Sequence, residues 1–476
     1  MYSLLLIAAC TAPPADNPDP ASTPNPTDDP SVVDSAEGED TAPAGPQDTA
    51  PPTPPEDRPP LWFGGGDPPA NVFILSIDTL RRDHLGRWGG DGDTPYLDSL
   101  IEEGVALDDH VQCSNWTFAS MSCTTLGRPG RDLGWVPQIS SAGRALMPQA
   151  GTLPGWLRDE AGFYTLVNSI NGWFSDEWDT VQGYDKRLSK GPQAEDAILA
   201  AADSLEAAIA DGDVGDHWLM HVHVTEPHAA YKPPEEYLDD LAALDPIEWD
   251  LSVSDYHYDA TAEWPSLSPD EQALLLAHLQ VRYRAEVRYL DDQLSRSFAE
   301  LDSRGLLEDT LVVIYNDHGE AFWEHGNQSH AHTLHAQEND GILVFWGKTL
   351  TPGVWSEPTH ATDLAATLLG VHGVPVPAEV TGQSLGEAAE DRSRFQFSVA
   401  RQGVVQSVIQ GPHKLHYSWR DGRLELYDRV ADPDEATDLA STLPDVVETL
   451  WLLLRPEVEA LDPLLTEAPI WPAIDE

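Results

Sequence analysis

The chain has 476 residues, and its 81 acidic against 26 basic side chains give a formal net charge of −55. A surface this acidic excludes a nucleic-acid binder that works through a basic patch. Hydrophobic residues make up 41% of the chain, enough for a large core. No stretch approaches the roughly 20 consecutive apolar residues of a membrane-spanning helix, so we do not expect an integral membrane protein.

Residues 1–10 form a short apolar run that ends in small residues and Cys10. This pattern resembles the lipobox of bacterial lipoproteins, in which the cysteine becomes a lipid-modified N-terminus. We therefore expect an exported protein of the bacterial cell envelope that is held at the membrane surface by a lipid anchor at Cys10. An unmodified N-terminus is the alternative.

The segment 11–60 contains 15 Pro and 11 acidic residues against the single basic Arg58. Such a composition cannot build a core and predicts a disordered acidic tether. The other two cysteines, Cys113 and Cys123, lie ten residues apart; they form one disulfide in an oxidising compartment or remain reduced, and the sequence leaves this open.

Four near-continuous apolar runs have the composition of strands buried on both faces of a sheet, at 71–77, 218–224, 310–316 and 341–346. Helical segments alternate with them at 94–105, at about 195–211 and at 268–305. The last begins with SPDE, a capping box with proline at the first helical position. This alternation predicts an α/β fold with a mostly parallel sheet flanked by helices.

A smaller α+β subdomain is predicted for residues 389–476, after a main domain at 61–388. Its predicted strands are 399–409, 414–419 and 423–427, with a hairpin at Asp421 and Gly422, and a helix follows at about 443–454.

Polar residues follow two of the apolar runs directly: Asp78 after the first, and Asp317 with His318 after the third. Ligands of an open α/β sheet bind outside the carboxyl ends of its strands. Oxygen and nitrogen donors of this kind suit a divalent cation such as Zn²⁺, Mn²⁺ or Ca²⁺. For Asp78 alone, a helix cap is an equally good interpretation.

Eight motifs occur in a fixed order along the chain. They are NVFILSIDTLRRDHLG (71–86), NWTFASMSCTTLG (115–127), HVHVTEPHAAYKPP (221–234), YRAEVRYLDDQL (283–294), TLVVIYNDHGEAFWEHG (310–326), HAHTL (330–334), HATDLAATLLGVHGVPVP (360–377) and GRLELYDRVADPDEATDL (422–439). The set resembles the sulfatase family of the alkaline phosphatase superfamily and covers residues 70 to about 450. The resemblance implies an alkaline-phosphatase-like fold and a metal-dependent hydrolase or transferase that acts on a sulfate or phosphate ester.

The resemblance also implies that Asp78, Asp317 and His318 bind one divalent metal ion (Mn²⁺, Zn²⁺ or Ca²⁺). Thr79 stands where many family members have a second aspartate. One carboxylate fewer, with an imidazole present, shifts the preference slightly from Ca²⁺ toward Mn²⁺ or Zn²⁺.

The sulfatase nucleophile is a Cys or Ser in a motif with Pro and Arg, which is oxidised to formylglycine. This chain has TFASM at the corresponding place, 117–121, and neither Cys113 nor Cys123 is followed by the motif, so no formylglycine is expected. Thr117 resembles the nucleophile of the family branch that attacks phosphorus, where the threonine also binds the metal. The alternative role of Thr117 is that of a helix N-cap.

His228 resembles the family's histidine at the ester, with His223 and Glu226 as supporting positions. His330 and His332 fall where the family places a group against the transferred anion, and either can be the general acid. His221 is more simply a core residue. The motif Arg is replaced by Met121, so we considered Arg81, Arg128, Lys232 and Lys348 as substitute cations.

The leading hypothesis is therefore a sulfatase-like enzyme for an anionic ester of a small molecule, glycan or lipid, with phosphoester chemistry favoured. Two alternatives stay open: a catalytically silent binding protein that keeps the fold, and a genuine sulfatase. The strongly acidic chain favours the silent protein, since its field opposes an anionic substrate.

Overall fold

The computed structural model describes residues 61–129, 151–251, 260, 262–387, 391–400 and 403–467. The predicted signal segment with Cys10, the tether at 11–60 and the boundary between residues 388 and 389 lie outside these residues. Among the described helices, none combines the length and the apolar character that crossing a bilayer requires.

The described strands alternate with helices in the first two thirds of the chain and follow one another in the last third. The strands are β1 (Asn71–Ile77), β2 (Val105–Leu107), β3 (His110–Val111), β4 (Phe163–Asn168), β5 (Lys186–Leu188), β6 (His217–Val224), β7 (Thr310–Asn316), β8 (Ala321–Phe322), β9 (Gln328–Ser329), β10 (Leu343–Trp346), β11 (Gly353–Trp355), β12 (Thr359–His360), β13 (Arg394–Ala400), β14 (Gly403–Gln410), β15 (His413–Ser418) and β16 (Leu424–Asp428). The described α-helices are α1 (Pro95–Glu103), α2 (Thr117–Leu126), α3 (Leu153–Ala161), α4 (Ala194–Asp211), α5 (Pro269–Ser303), α6 (Ala336–Asn339), α7 (Asp363–Val371) and α8 (Pro444–Glu467).

The central sheet has eight strands in the order β11-β2-β10-β7-β1-β6-β4-β5. The five strands from β7 to β5 are parallel, and β10 runs antiparallel to both β7 and β2. This mostly parallel sheet with flanking helices confirms the predicted alkaline-phosphatase-like α/β fold. β1 and β7 have the predicted bounds.

Side chains of β1 alternate between two hydrophobic cores, as expected for a strand buried on both faces. Phe73, Leu75 and Ile77 pack with α1, α4 and α5 on one face of the sheet. Val72 and Ile74 pack with α2, α3 and α7 on the other. The sheet is thus held between two layers of helices, which fixes the ends of its strands.

The long helix α5 begins at the predicted capping box. Ser268 accepts a hydrogen bond from the Glu271 backbone N–H at 3.4 Å, and the Glu271 carboxylate accepts one from the Ser268 N–H at 2.8 Å. The backbone N–H groups of Ser268 and Glu271, which have no partner within the helix, are therefore satisfied.

The C-terminal part is an antiparallel sheet in the order β13-β14-β15-β16, with α8 against it. The single strand predicted at 399–409 is wrong: β13 and β14 are two antiparallel strands, with Arg394 opposite Ile409. Both are rich in β-branched and aromatic residues, so composition alone does not separate them.

Candidate active site

Asp78 and Asp317 lie side by side at the carboxyl ends of two adjacent parallel strands. Ile77 of β1 pairs with Asn316 of β7, so the next residue of each strand enters the same crevice. The Asp317 backbone N–H donates to the Ile77 carbonyl at 3.2 Å, which continues the ladder by one residue. Both carboxylates are buried, with exposures of 1% and 0%.

His318 completes this group of three. Its Nδ1 lies 2.9 Å from the Gly319 carbonyl oxygen, which can only accept, so Nδ1 carries the proton. Its Nε2 faces the carboxylates, 3.6 Å from Asp78 Oδ1 and 3.5 Å from Asp317 Oδ2. One donor atom from each of the three residues lies within 4.8 Å of the others.

The polar atoms of this group fit a divalent cation. Asp78 Oδ1 and Asp317 Oδ2 are buried and have no hydrogen-bond partner, and a buried unpaired carboxylate oxygen is costly unless a cation binds it. Burial and the neighbouring Asp78 carboxylate raise the pKa of Asp317 to about 8. A bound divalent ion would allow both carboxylates to ionise together. Asp78, Asp317 and His318 are therefore the candidate ligands.

Thr117 is the first residue of α2, and its Oγ1 lies 3.5 Å from His318 Nε2. The N-cap position belongs to Trp116, so the threonine hydroxyl does not cap the helix. A disulfide joins Cys113 to Cys123, whose Cα atoms lie 6.8 Å apart. Thr117 is part of the loop that this disulfide closes.

His228 and His330 border the same crevice. The His330 ring centroid lies 4.5 Å from that of His318 and 5.1 Å from that of His228. Burial lowers the pKa of His228, but the Asp78 and Glu320 carboxylates outweigh it and raise the pKa. The structure thus brings together Asp78, Thr117, His228, Asp317, His318 and His330.

His332 is half-buried and comes two residues later. Its backbone N–H donates to a Glu338 carboxylate oxygen at 3.1 Å, and the Thr333 hydroxyl and the Asn115 side chain donate to the same carboxylate at 2.9 Å each. Glu338 therefore ties the segment with the two histidines to the residues before Thr117.

Sequence reasoning did not single out three residues that contact this site. Asn171 Nδ2 donates to Asp78 Oδ2 at 3.0 Å, and Glu320 Oε1 lies 3.1 Å from His330 Nδ1. Glu338 is the third. Glu320 follows His318 closely and could have been noticed, whereas Asn171 and Glu338 are ordinary loop and helix residues in the sequence.

The structure places the residues predicted to support the ester-binding histidine differently. His223 reaches the site, with Nε2 3.5 Å from Asp78 Oδ2 and Nδ1 3.0 Å from Ser76 Oγ. His221 is a core residue as expected, because Ser76 and Tyr184 satisfy its two ring nitrogens. Glu226 does not reach the site; its carboxylate accepts from the Ala194 N–H at the start of α4.

The structure supports none of the substitute cations. Arg81 is already paired with Asp83 and Glu324 at 2.6 and 2.5 Å. Lys348 follows β10, whose reversed direction places its end at the opposite edge of the sheet, where it pairs with Asp302 and Glu308. Arg128 follows α2 at the end away from Thr117, and the Lys232 side chain is exposed. Acidic partners thus neutralise Arg81 and Lys348.

The family model named Sulfatase matches residues 70–374. Arylsulfatase K of Bos taurus is 24% identical over 198 residues, which are 38% of this chain and 36% of that protein. The chain thus spans about a third of the length of this curated relative.

Solved structures agree in fold. One, determined in complex with its substrate D-glucosamine-2-N,6-O-disulfate, superposes with a TM-score of 0.66 at 18% identity and covers 83% of this chain and 98% of its own. Phosphonate monoester hydrolase of Silicibacter pomeroyi gives a TM-score of 0.61 at 20% identity, with 83% and 95% covered. The chain belongs to the sulfatase family.

Proposed function

We propose that this protein is a metal-dependent hydrolase or transferase of sulfate or phosphate esters that uses Thr117 as its nucleophile, with phosphate esters preferred. The observation that carries the proposal is the placement of the Thr117 hydroxyl at the start of α2, 3.5 Å from His318 Nε2 and next to the Asp78–Asp317 pair. A hydroxyl at a helix N-terminus beside a cation site is suited to attack an anionic ester.

The two cysteines support a threonine nucleophile. Cys113 and Cys123 are joined to each other, so neither thiol is available for oxidation to formylglycine. A threonine ester of the transferred group must be cleaved at that group itself. Attack on phosphorus meets this requirement, since phosphorus accepts a second in-line displacement.

Asp78, Asp317 and His318 would hold a divalent cation, which would lower the pKa of the Thr117 hydroxyl and neutralise the ester's oxygens. Thr117 Oγ1 gives up its proton to water and forms a bond to phosphorus while the ester P–O bond breaks. Water or another hydroxyl then attacks the same phosphorus, breaks its bond to Oγ1 and restores the threonine.

The leaving oxygen needs a proton, and the adjoining imidazoles can provide it. Despite burial, the Asp78 and Glu320 carboxylates raise the pKa of His228, which favours the charged form of a ring close to the developing negative charge. His330 lies within contact of both His228 and His318. His332, two residues further on, stays a second candidate for the acid. Because Arg81 is already paired with two carboxylates, histidine charge would stabilise the transferred group.

Tryptophan side chains lie close in sequence to site residues and are candidates for contact with the rest of the substrate. Trp116 precedes Thr117, and its ring lies 5.3 Å from that of Trp173, which packs 4.8 Å from Trp178. Trp173 comes two residues after Asn171, the donor to Asp78. The faces of aromatic rings suit contact with a sugar ring or with an apolar group on the ester.

We also propose that the protein is exported and anchored at Cys10 to the bacterial cell envelope. The Cys113–Cys123 disulfide supports an oxidising compartment.

The test is hydrolysis of an aryl phosphodiester, an aryl phosphomonoester and an aryl sulfate by the full chain with Mn²⁺, Zn²⁺ or Ca²⁺. Three variants test the hydroxyl of Thr117. Thr117→Val removes the hydroxyl but keeps the side-chain shape, and Thr117→Ser keeps the hydroxyl. Thr125→Val is a control at the other end of α2. We expect phosphoester turnover that falls at least about 10³-fold in Thr117→Val and is retained in the other two.

Other outcomes would contradict the proposal. Sulfate turnover alone would establish a genuine sulfatase and remove the phosphoester preference. Turnover that survives in Thr117→Val would exclude Thr117 as the nucleophile. Stoichiometric metal binding with no turnover on any ester would establish a silent binding protein.

A further inference from the structure

A second group of metal-binding side chains lies away from the active site, where the segment after β9 meets the C-terminal sheet. His335 comes directly before α6, and its ring centroid lies 4.6 Å from that of His416 on β15. His416 pairs directly with Glu425 on β16, which places the two side chains on the same face of the sheet. One donor atom from each of His335, His416 and Glu425 lies within 4.8 Å of the others.

The polar atoms of this group are incompletely satisfied. His335 and His416 are buried, with exposures of 6% and 2%. His335 Nδ1 and His416 Nε2 have no hydrogen-bond partner. Buried imidazole nitrogens usually find one, because an unpaired polar atom costs about 1–3 kcal/mol. Two buried imidazoles with unpaired nitrogens and a neighbouring carboxylate have the donor types of a cation site.

We propose that His335, His416 and Glu425 form a metal site, separate from the active site, that binds a divalent transition metal of the zinc class. Two imidazoles and one carboxylate are a known zinc ligand set, and they favour Zn²⁺ over the oxygen-preferring Ca²⁺ and Mg²⁺. Because Zn–N distances are about 2.0–2.1 Å, donor atoms no more than 4.8 Å apart can reach one ion by shifts of under about 1 Å.

The surrounding charges are compatible with a bound cation. Lys414 is a positive charge that acts on both histidines. Lys414 itself is paired with Glu435 at 3.1 Å, with both side chains buried. Arg423 pairs with Glu425 at 3.1 Å, but it is 61% exposed and can move into solvent.

The ligands come from two parts of the chain. His335 follows the segment that carries His330 and His332, whereas His416 and Glu425 belong to the C-terminal sheet. A bound ion would join this sheet to the segment that delivers the candidate general acids, with Glu425 as the partly exposed entry point.

The test counts zinc in the full chain by mass spectrometry after removal of metal and dialysis against Zn²⁺. Asp317→Asn removes a ligand of the active-site group and serves as the background. In that background we expect one zinc per chain, none after His416→Gln, and one after His413→Gln, a control on the same strand. Co²⁺ in place of zinc should give visible absorption bands that disappear only in His416→Gln.

Circular dichroism and the Tm of the metal-free proteins show whether each variant is folded. Glu425→Gln, at a partly exposed position, gives a second way to remove a ligand, and it should lose the same equivalent of zinc. If Asp317→Asn does not fold, the wild-type background replaces it, and His416→Gln should bind one equivalent less than His413→Gln. A zinc content that neither His416→Gln nor Glu425→Gln changes would overturn the proposal.

Discussion

The Glu320 carboxylate oxygen Oε1 lies 3.1 Å from Nδ1 of His330, and both side chains are buried. A carboxylate can only accept here, so Nδ1 of the imidazole donates the hydrogen bond. This fixes the tautomer and the orientation of the ring beside His318. Glu320 thus acts on the site through His330, as a positioning residue.

Glu320→Gln should therefore lower kcat by about 10–100-fold with a smaller change in KM. The Glu320 charge also raises the pKa of His228, so its loss should move the basic limb of the pH–rate profile to lower pH. Steady-state kinetics across pH measures both effects. Glu308→Gln, at the opposite edge of the sheet, is the control. An unchanged pH profile would mean that Glu320 has only a packing role.

Asn171 should tune the cation affinity of the active-site group. Its amide donates to Asp78 Oδ2 at 3.0 Å and so fixes the carboxylate that we propose as a ligand. We expect Asn171→Ala to weaken metal binding by about 10–100-fold. Calorimetric titration of the metal-free protein with Mn²⁺ measures this. Asn327→Ala, whose amide donates to the His325 carbonyl instead, should bind normally.

Glu286 should make the stability depend on pH. Burial raises the pKa of its carboxyl from 4.5 to about 8 in the folded protein. Between these values the folded chain keeps a proton that the unfolded chain has lost, so the contribution of Glu286 is complete below about pH 4.5 and disappears as pH rises through about 8.

Glu286→Gln cannot ionise and should gain stability relative to the wild type as pH rises from 5 to 8. The upper limit is about 1.4 kcal/mol of unfolding free energy per pH unit. Denaturant unfolding at both pH values measures the difference. Glu300→Gln, exposed on the same helix, should show no such trend.

The capping box at the start of α5 gives a simpler test. Ser268→Ala removes the side-chain acceptor of the Glu271 N–H and should cost about 1 kcal/mol. Ser268→Thr should retain most of this, and Ser303→Ala at the other end of the helix serves as a control. Denaturant unfolding decides the matter, and equal stability of Ser268→Ala and wild type would contradict the assigned cap.

The sequence predicted the bounds of those elements that depend only on nearby residues. The bounds of β1 and β7 follow from continuous apolar runs, and the start of α5 follows from four residues. Long-range contacts determine the rest. The separation of β13 from β14 and the role of Glu338 depend on which segments meet in space. The pairing of Arg81 with Glu324 and of Lys348 with Asp302 likewise arises only on folding.

The reversed direction of β10 has a consequence for how the site is assembled. The residues that follow a parallel strand such as β1 or β7 enter the crevice. At β10, which runs the other way, the residues that precede the strand do so. The stretch from His330 to Asp340 therefore lies before β10, at the strand ends that carry Asp78 and Asp317. One inverted strand thus brings a second stretch of chain to the strand ends that carry Asp78 and Asp317, so Thr117 and His330 reach His318 from separate parts of the chain.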